Sequence, residues 1–323
     1  MGQRKWPRIF ELLQASKIPF EFAMTKQAGD GTRLAAAAAK AGYDAIIAVG
    51  GDGTINEVIS GIILGDDILE GSQTDQIADL NSTLSHETSG QVLREFLASQ
   101  EPRFGVIYTG TSPDFCAFHG LSINPDKIIP KILAGQTRQV DLCRITHRIA
   151  GRELPVQRVF SCAANFGLGA AIARGSNSGL RKRWGDFMGT FLSVLQAIRS
   201  YEAPSFTVRL DGREEQFSRV HNLFVGKSPF IASGIKLQLD ITHNDGRMFL
   251  VPLCGISKLR VLAMLPRVYT GSFCRDFPPR FCRTIDILNG GGADEVEYDG
   301  DPRGLLPAHI QIMPKALSLL GIG

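Results

Sequence analysis

Apolar residues recur at helical spacing near the start of the chain, at Trp6, Ile9, Phe10, Leu12 and Leu13, which predicts a helix there. Pro19 to Ala23 alternates like a strand, and Thr32 to Ala41 reads as an alanine-rich helix ended by Gly42. The next feature is sharper. Ala45 to Val49 is a short apolar run, Gly50-Gly51-Asp52-Gly53-Thr54 is a turn, and from Ile55 to Ile63 the period is helical again. Strand, glycine turn and helix make half of a βαβ unit.

Residues 65–90 are polar and weakly periodic, which predicts a surface insertion. A second unit follows, with a strand at Phe104 to Tyr108, a turn at Thr109 to Pro113 and a helix opening at Asp114 to Leu121. After Asp141 the texture changes to short alternating runs: Pro155 to Ala163, Phe206 to Leu210, Leu223 to Val225, Lys236 to Ile241, Met248 to Val251, Arg283 to Leu288 and His309 to Met313. Gly, Asp and Asn separate them, the pattern of a mostly antiparallel β domain interrupted by one helix near 179–200. The expected organisation is therefore an α/β domain over 1–145 and a β domain over 146–323.

Composition narrows the class. The chain has 323 residues, with 44% hydrophobic and 21% charged, which excludes collagenous, coiled-coil and largely disordered proteins. The net charge of +3 is too small for a dedicated nucleic-acid binder, so no nucleic-acid partner is expected. The first hundred residues carry eight Lys/Arg against thirteen Asp/Glu, so the remainder is basic. The six cysteines show no C-x-x-C spacing, which reads as reduced thiols in the cytoplasm rather than a disulfide or zinc framework. No run approaches the length of a membrane span.

The strongest chemical signal is GGDGTINE, Gly50 to Glu57. Glycines at a strand-to-helix turn let a ligand approach the backbone, and the N–H groups of a helix N-terminus favour an anion, so this turn suits phosphate. The sequence is neither a Walker loop nor G-x-G-x-x-G. The bland reading is a tight turn, and Asp52 is out of place in a pure anion site unless it handles a metal or a hydroxyl proton. The histidines and cysteines show no nucleophilic arrangement that would support a hydrolase.

GGDGTINEVISG, GTSPDF at Gly110 to Phe115, Asp141 in QVDL, NDG at Asn244 to Gly246 and YDGD at Tyr298 to Asp301 together resemble the diacylglycerol kinase catalytic-domain family. That family takes in bacterial soluble lipid kinases, sphingosine kinases and ceramide kinases, and is distantly related to NAD kinase. The matches run in the family's order over nearly the whole chain. The resemblance implies an N-terminal doubly wound α/β nucleotide-binding domain and a C-terminal β-sandwich domain with a cleft between them, the last segment packing back on the first domain. It implies ATP and Mg²⁺ as cofactors and a lipid hydroxyl as acceptor. Nucleotide contacts then fall on Thr25, Gly50, Gly51, Asp52, Gly53, Thr54, Asn56, Glu57, Gly110 and Thr111. The magnesium and water network falls on Asp52, Asp114 and Asp141, with Asp299 beside the general base, Asp301. Asp245, with backbone oxygens near His243 and Arg247, falls on a structural Mg²⁺ site.

The chain departs from the family's pattern at several points. Asp301 stands where the family has Glu, one methylene longer; Pro113 and Ala117 replace Asn and Arg; Lys227 stands where Asn is usual. The chain opens just after the place of the family's first strand, which leads to the expectation of a longer native start. The helix expected near 179–200 carries an apolar stripe from Leu180 to Ile198, headed by Arg181, Lys182 and Arg183. Core packing is its ordinary reading, and weak, salt-sensitive association with anionic membranes is the functional one. The expected enzyme is cytoplasmic and peripheral to the membrane. Its alternatives are an NAD-kinase-like enzyme with a soluble acceptor, and a catalytically weak nucleotide- or lipid-binding protein.

Overall fold

The computed structural model describes residues 2–69, 102–171, 196–231, 235–292, 294–298 and 301–322. The expected insertion lies outside them except for 65–69, and so does the basic helix except for 196–200, which are helical. The chain forms two compact units, one made of Met1–Thr109, Ser122–Arg138 and Leu317–Gly323, the other of Gly110–Leu121 and Gln139–Ala316.

The first unit opens with α1 (Gly2–Ala15), α2 (Asp30–Lys40), β1 (Ala45–Gly50), α3 (Asp52–Leu69) and β2 (Arg103–Tyr108). After α4 (Asp114–His119) in the second unit, α5 (Pro125–Leu133) belongs to the first. Strands β1 and β2 run parallel in register from Ala45↔Arg103 to Gly50↔Tyr108. This is the geometry expected when a helical crossover joins two buried apolar strands. Helix α2 packs on α3 at Gly61, where a side-chain carbon would strike the Thr32 carbonyl oxygen and sit 2.8 Å from Ala35 Cβ.

One expected strand is absent. Residues 18–26 form no strand, and Ile18, Phe20, Phe22 and Met24 are exposed. Phe20 and Phe22 meet Phe10, and Phe22 meets Trp6, at ring separations of 5.1–5.8 Å, so the alternation is met by α1 rather than by a sheet.

The second unit holds β3 (Thr137–Arg148), β4 (Val156–Phe160), β5 (Ala163–Gly167), β6 (Phe206–Leu210), β7 (Arg213–Phe217) and β8 (Val220–Gly226). It continues with β9 (Phe230–Ile231), β10 (Ile235–Lys236), β11 (Met248–Cys254), α6 (Lys258–Tyr269), β12 (Arg280–Cys282), β13 (Thr284–Asn289), β14 (Glu295–Tyr298) and β15 (Asp301–Leu320), whose end from Leu317 belongs to the first unit. The sheet order is β12-β11-β8-β5-β14-β15-β13-β6-β7, with β3 pairing β4 and β15. The strand expected over Lys236 to Ile241 shrinks to the end of β10. Leu237 N–H still bonds the Pro229 carbonyl and Gln238 N–H the Gly271 carbonyl, while Leu239 N–H turns back to the Leu237 carbonyl, so the segment makes single backbone contacts rather than a strand ladder.

Strand β11 explains why apolar runs here are continuous. Side chains alternate across a strand, and Met248 and Leu250 enter one core with Phe160, Phe166 and Phe206. Phe249, Val251 and Leu253 enter another, with Leu237, Met264 and Phe273. Both faces are buried, as in a layered β domain. Among the described residues no helix is long and apolar enough to cross a membrane.

Candidate active site

The glycine turn lies between β1 and α3 in the first unit. Ile55 N–H bonds the Gly51 carbonyl at 3.0 Å, which closes the first helical turn, and Thr109 N–H bonds the Gly50 carbonyl at 2.8 Å, which ties the end of β2 to it. Gly50 is required sterically, because a side-chain carbon there would meet Cγ2 of Thr54 at 2.8 Å. Gly53 is the opposite case: nothing lies within 4 Å of where its side chain would be. The turn therefore offers open backbone at a helix N-terminus, whose first N–H groups have no partner within the helix. Phosphate oxygens fit that geometry.

Asp52, half-buried in the first turn of α3, accepts a long hydrogen bond of 3.4 Å from the Tyr108 hydroxyl. Asn56 is buried, and its Oδ1 has no hydrogen-bond partner among the described residues. Glu57 points to another task. Its Oε1 accepts Gly29 N–H at 2.8 Å and its Oε2 accepts Gly31 N–H at 3.0 Å, fastening the start of α2 to α3. Thr25 is exposed, just before a turn in which Asp30 accepts from Lys26 N–H and Gln27 N–H. The Lys26 N–H bond, then Arg33 and the Gln27 N–H, hold the Asp30 carboxyl below the ordinary carboxylate range.

In the second unit, Thr111 is exposed, Gly110 is half-buried, and buried Asp114 begins α4 and accepts from the Ser112 hydroxyl at 3.3 Å. Asp141 is almost wholly buried on β3. Its Oδ1 accepts Lys315 N–H at 2.8 Å, where Lys315 has a left-handed φ of 53°, and its Oδ2 accepts Gly246 N–H at 2.8 Å. Lys227 Nζ also reaches Asp141 Oδ2, at 2.8 Å, and it binds Asp245 as well. Burial alone would raise the Asp245 carboxyl, but Lys227, the Thr242 N–H and Arg247 outweigh it and hold that group low. Among the described residues no three His, Cys, Asp and Glu side chains are placed to share a metal ion. Asp301 begins β15, its backbone paired with Tyr298; Asp299 lies outside the described residues.

Sequence reasoning missed the polar groups beside that hairpin. Glu297 accepts from Asn165, Asn165 accepts from Asn222 at 3.0 Å, and Asn222 accepts Gly169 N–H at 2.8 Å. His147 and the Tyr298 hydroxyl share a hydrogen bond of 3.3 Å, and burial lowers the His147 pKa. These partners lie far apart in sequence, so no local signal could have announced them.

Residues 1–145 match the diacylglycerol kinase catalytic domain, and residues 163–321 match the YegS C-terminal NAD kinase beta sandwich-like domain. The chain belongs to the diacylglycerol kinase catalytic-domain family. It is accordingly a kinase, a phosphotransferase with an alcohol acceptor. A relative from Mycobacterium tuberculosis, named "Diacylglycerol kinase", is 23% identical over 91% of this chain and 82% of its own length. "Probable lipid kinase YegS" of Salmonella newport is 27% identical over 95% of this chain and 87% of its own. A crystal structure of a diacylglycerol kinase from Bacillus anthracis shares the fold of the family member described here. Its TM-score is 0.60 at 17% identity, over 92% of this chain and 84% of that one.

Proposed function

We propose that this kinase transfers the γ-phosphoryl group of ATP to a lipid hydroxyl, in the cytoplasm at a membrane surface. The observation that carries the nucleotide part is the open backbone at Gly53, at the head of α3. Gly50, Gly51, Gly53 and Thr54 hold the phosphates, with Gly110 and Thr111 as further contacts. Mg²⁺ entering with ATP neutralises phosphate charge, and the hard carboxylate oxygens of Asp52 and Asp114 suit it. Asp301 takes the proton from the lipid hydroxyl as its oxygen attacks the γ-phosphorus and ADP leaves. Diacylglycerol, the acceptor in the name of the Mycobacterium tuberculosis relative, is the first acceptor to test, and a sphingoid base the second. Association with anionic vesicles is weak and lost in salt.

The test is transfer of label from γ-³²P-ATP with Mg²⁺ into diacylglycerol or sphingoid-base micelles. Labelled lipid is expected with the native chain, a roughly 10²–10⁴-fold loss with Asp301→Ala, and a raised KM for ATP with Gly53→Ala. Label in a soluble hydroxyl such as NAD's ribose, or bound ATP with no transfer to any acceptor, would overturn the lipid-kinase reading.

A further inference from the structure

Lys227 follows β8 in the second unit, and its side chain has no exposure at all. Its ammonium meets three oxygens: Asp141 Oδ2 at 2.8 Å, Asp245 Oδ1, and the Arg247 carbonyl at 3.0 Å. An ammonium carries three protons, so each has an acceptor. Two carboxylates and a carbonyl are also the hard donors that Mg²⁺ or Ca²⁺ selects. The remaining capacity of the carboxylates is used as well. Asp245 Oδ2 accepts Thr242 N–H at 3.0 Å and Arg247 Nε at 3.1 Å, while Asp141 accepts Gly246 N–H and Lys315 N–H.

The charges balance without a metal. Lys227 and Arg247 match Asp141 and Asp245, so a divalent ion at the same oxygens would leave two uncompensated positive charges in a largely buried site. Mg²⁺ also requires near-octahedral oxygens at about 2.0–2.1 Å, a position these three oxygens already give to nitrogen. The residues therefore do not fit the structural Mg²⁺ that the family resemblance implied at Asp245.

We propose that the Lys227 ammonium is the resident cation of this site, carried by the chain itself, and that the second unit folds without a divalent metal. Asp141 and Asp245 then act as structural clamps. Asp141 joins β3 to the turn at Gly246 and to β15 at Lys315, and Asp245 closes the turn between Thr242 and Arg247. Any divalent dependence of the enzyme belongs to its nucleotide.

Thermal unfolding of the full chain without nucleotide tests this independently of the catalytic reading. The native melting temperature should be the same in EDTA and in millimolar Mg²⁺ or Ca²⁺, and dialysed protein should carry no stoichiometric divalent ion by mass spectrometry. Lys227→Asn strands the buried Asp141 carboxylate and the half-buried one of Asp245, so it should melt lower in EDTA by on the order of 10 °C, and millimolar Mg²⁺ or Ca²⁺ should restore much of the loss. A native chain that loses stability in EDTA or retains one equivalent of divalent ion would overturn the proposal. So would a Lys227→Asn chain that melts with the native one in EDTA. The native-chain measurements stand even where the variant does not fold.

Discussion

Replacing Gly61 by alanine sets two effects of opposite sign against each other. In an exposed helix interior the change gains about 1 kcal/mol, because glycine has more backbone freedom to lose. Here the added carbon would strike the Thr32 carbonyl oxygen and lie 2.8 Å from Ala35 Cβ and 3.0 Å from Ala36 N. Carbon atoms pack at about 3.5–4.0 Å, so α2 must retreat from α3 by roughly 1 Å, forfeiting a quarter to a half of the attraction along their seam. The struck atoms are mostly backbone, which cannot rotate away, so the cost lies at or above the upper end of about 1–3 kcal/mol for overpacking. The net expectation is a loss of about 2 kcal/mol, or roughly 6–8 °C in the melting of a unit of this size. Scanning calorimetry of the full chain measures it. A Gly61→Ala protein that melts at or above the native temperature would refute the close packing of the two helices, since propensity alone would then govern.

Two further outcomes follow from the same unit. Glu57→Ala removes both acceptors for the Gly29 and Gly31 N–H groups and should cost about 2 kcal/mol in urea unfolding, with Glu57→Gln losing about half; unchanged midpoints would mean that the carboxylate does not fasten α2. Asp30 has a folded pKa held below its unfolded value near 3.8, so its contribution is complete above that value and is lost as pH falls through the lower folded one. Unfolding free energy measured from pH 6 down to 3 should therefore fall less steeply for Asp30→Asn than for the native chain, and parallel curves would contradict the assignment.

The turn at Gly50–Thr54 was legible because two periodicities meet there within a dozen residues, an apolar strand and an amphipathic helix with glycines between. The segment from Pro19 to Ala23 misled for a physical reason. Alternation describes one face of an extended chain, whereas a strand also needs a neighbour's hydrogen bonds, and Phe20 and Phe22 find Trp6 and Phe10 instead. Helix α5 does carry a local sign in the sequence, since Asn124 caps it, accepting Asp126 N–H, and Pro125 stands at its first turn. Helix α6 has a comparable sign in Ser257, which accepts Arg260 N–H. Lys227 stands out in the sequence as a departure from the family's pattern, but its meaning depends on Asp141 and Asp245, 86 and 18 positions away. The chemistry of Asp141 was obscured in the same way, since its partners Gly246 and Lys315 come from distant turns.

Strand β15 belongs to both units: its body lies in the sheet of the second, and from Leu317 onward the chain is part of the first, where Leu319 pairs in parallel with Phe104. This sets an order of events during synthesis. The segment of the first unit up to Thr109 is translated before the β domain, yet its sheet cannot be finished until Leu319 emerges, so the β2 edge must wait through translation of the residues between. A frameshift or a bulky insertion near residue 317 would then be felt first at β2, in a segment translated long before it.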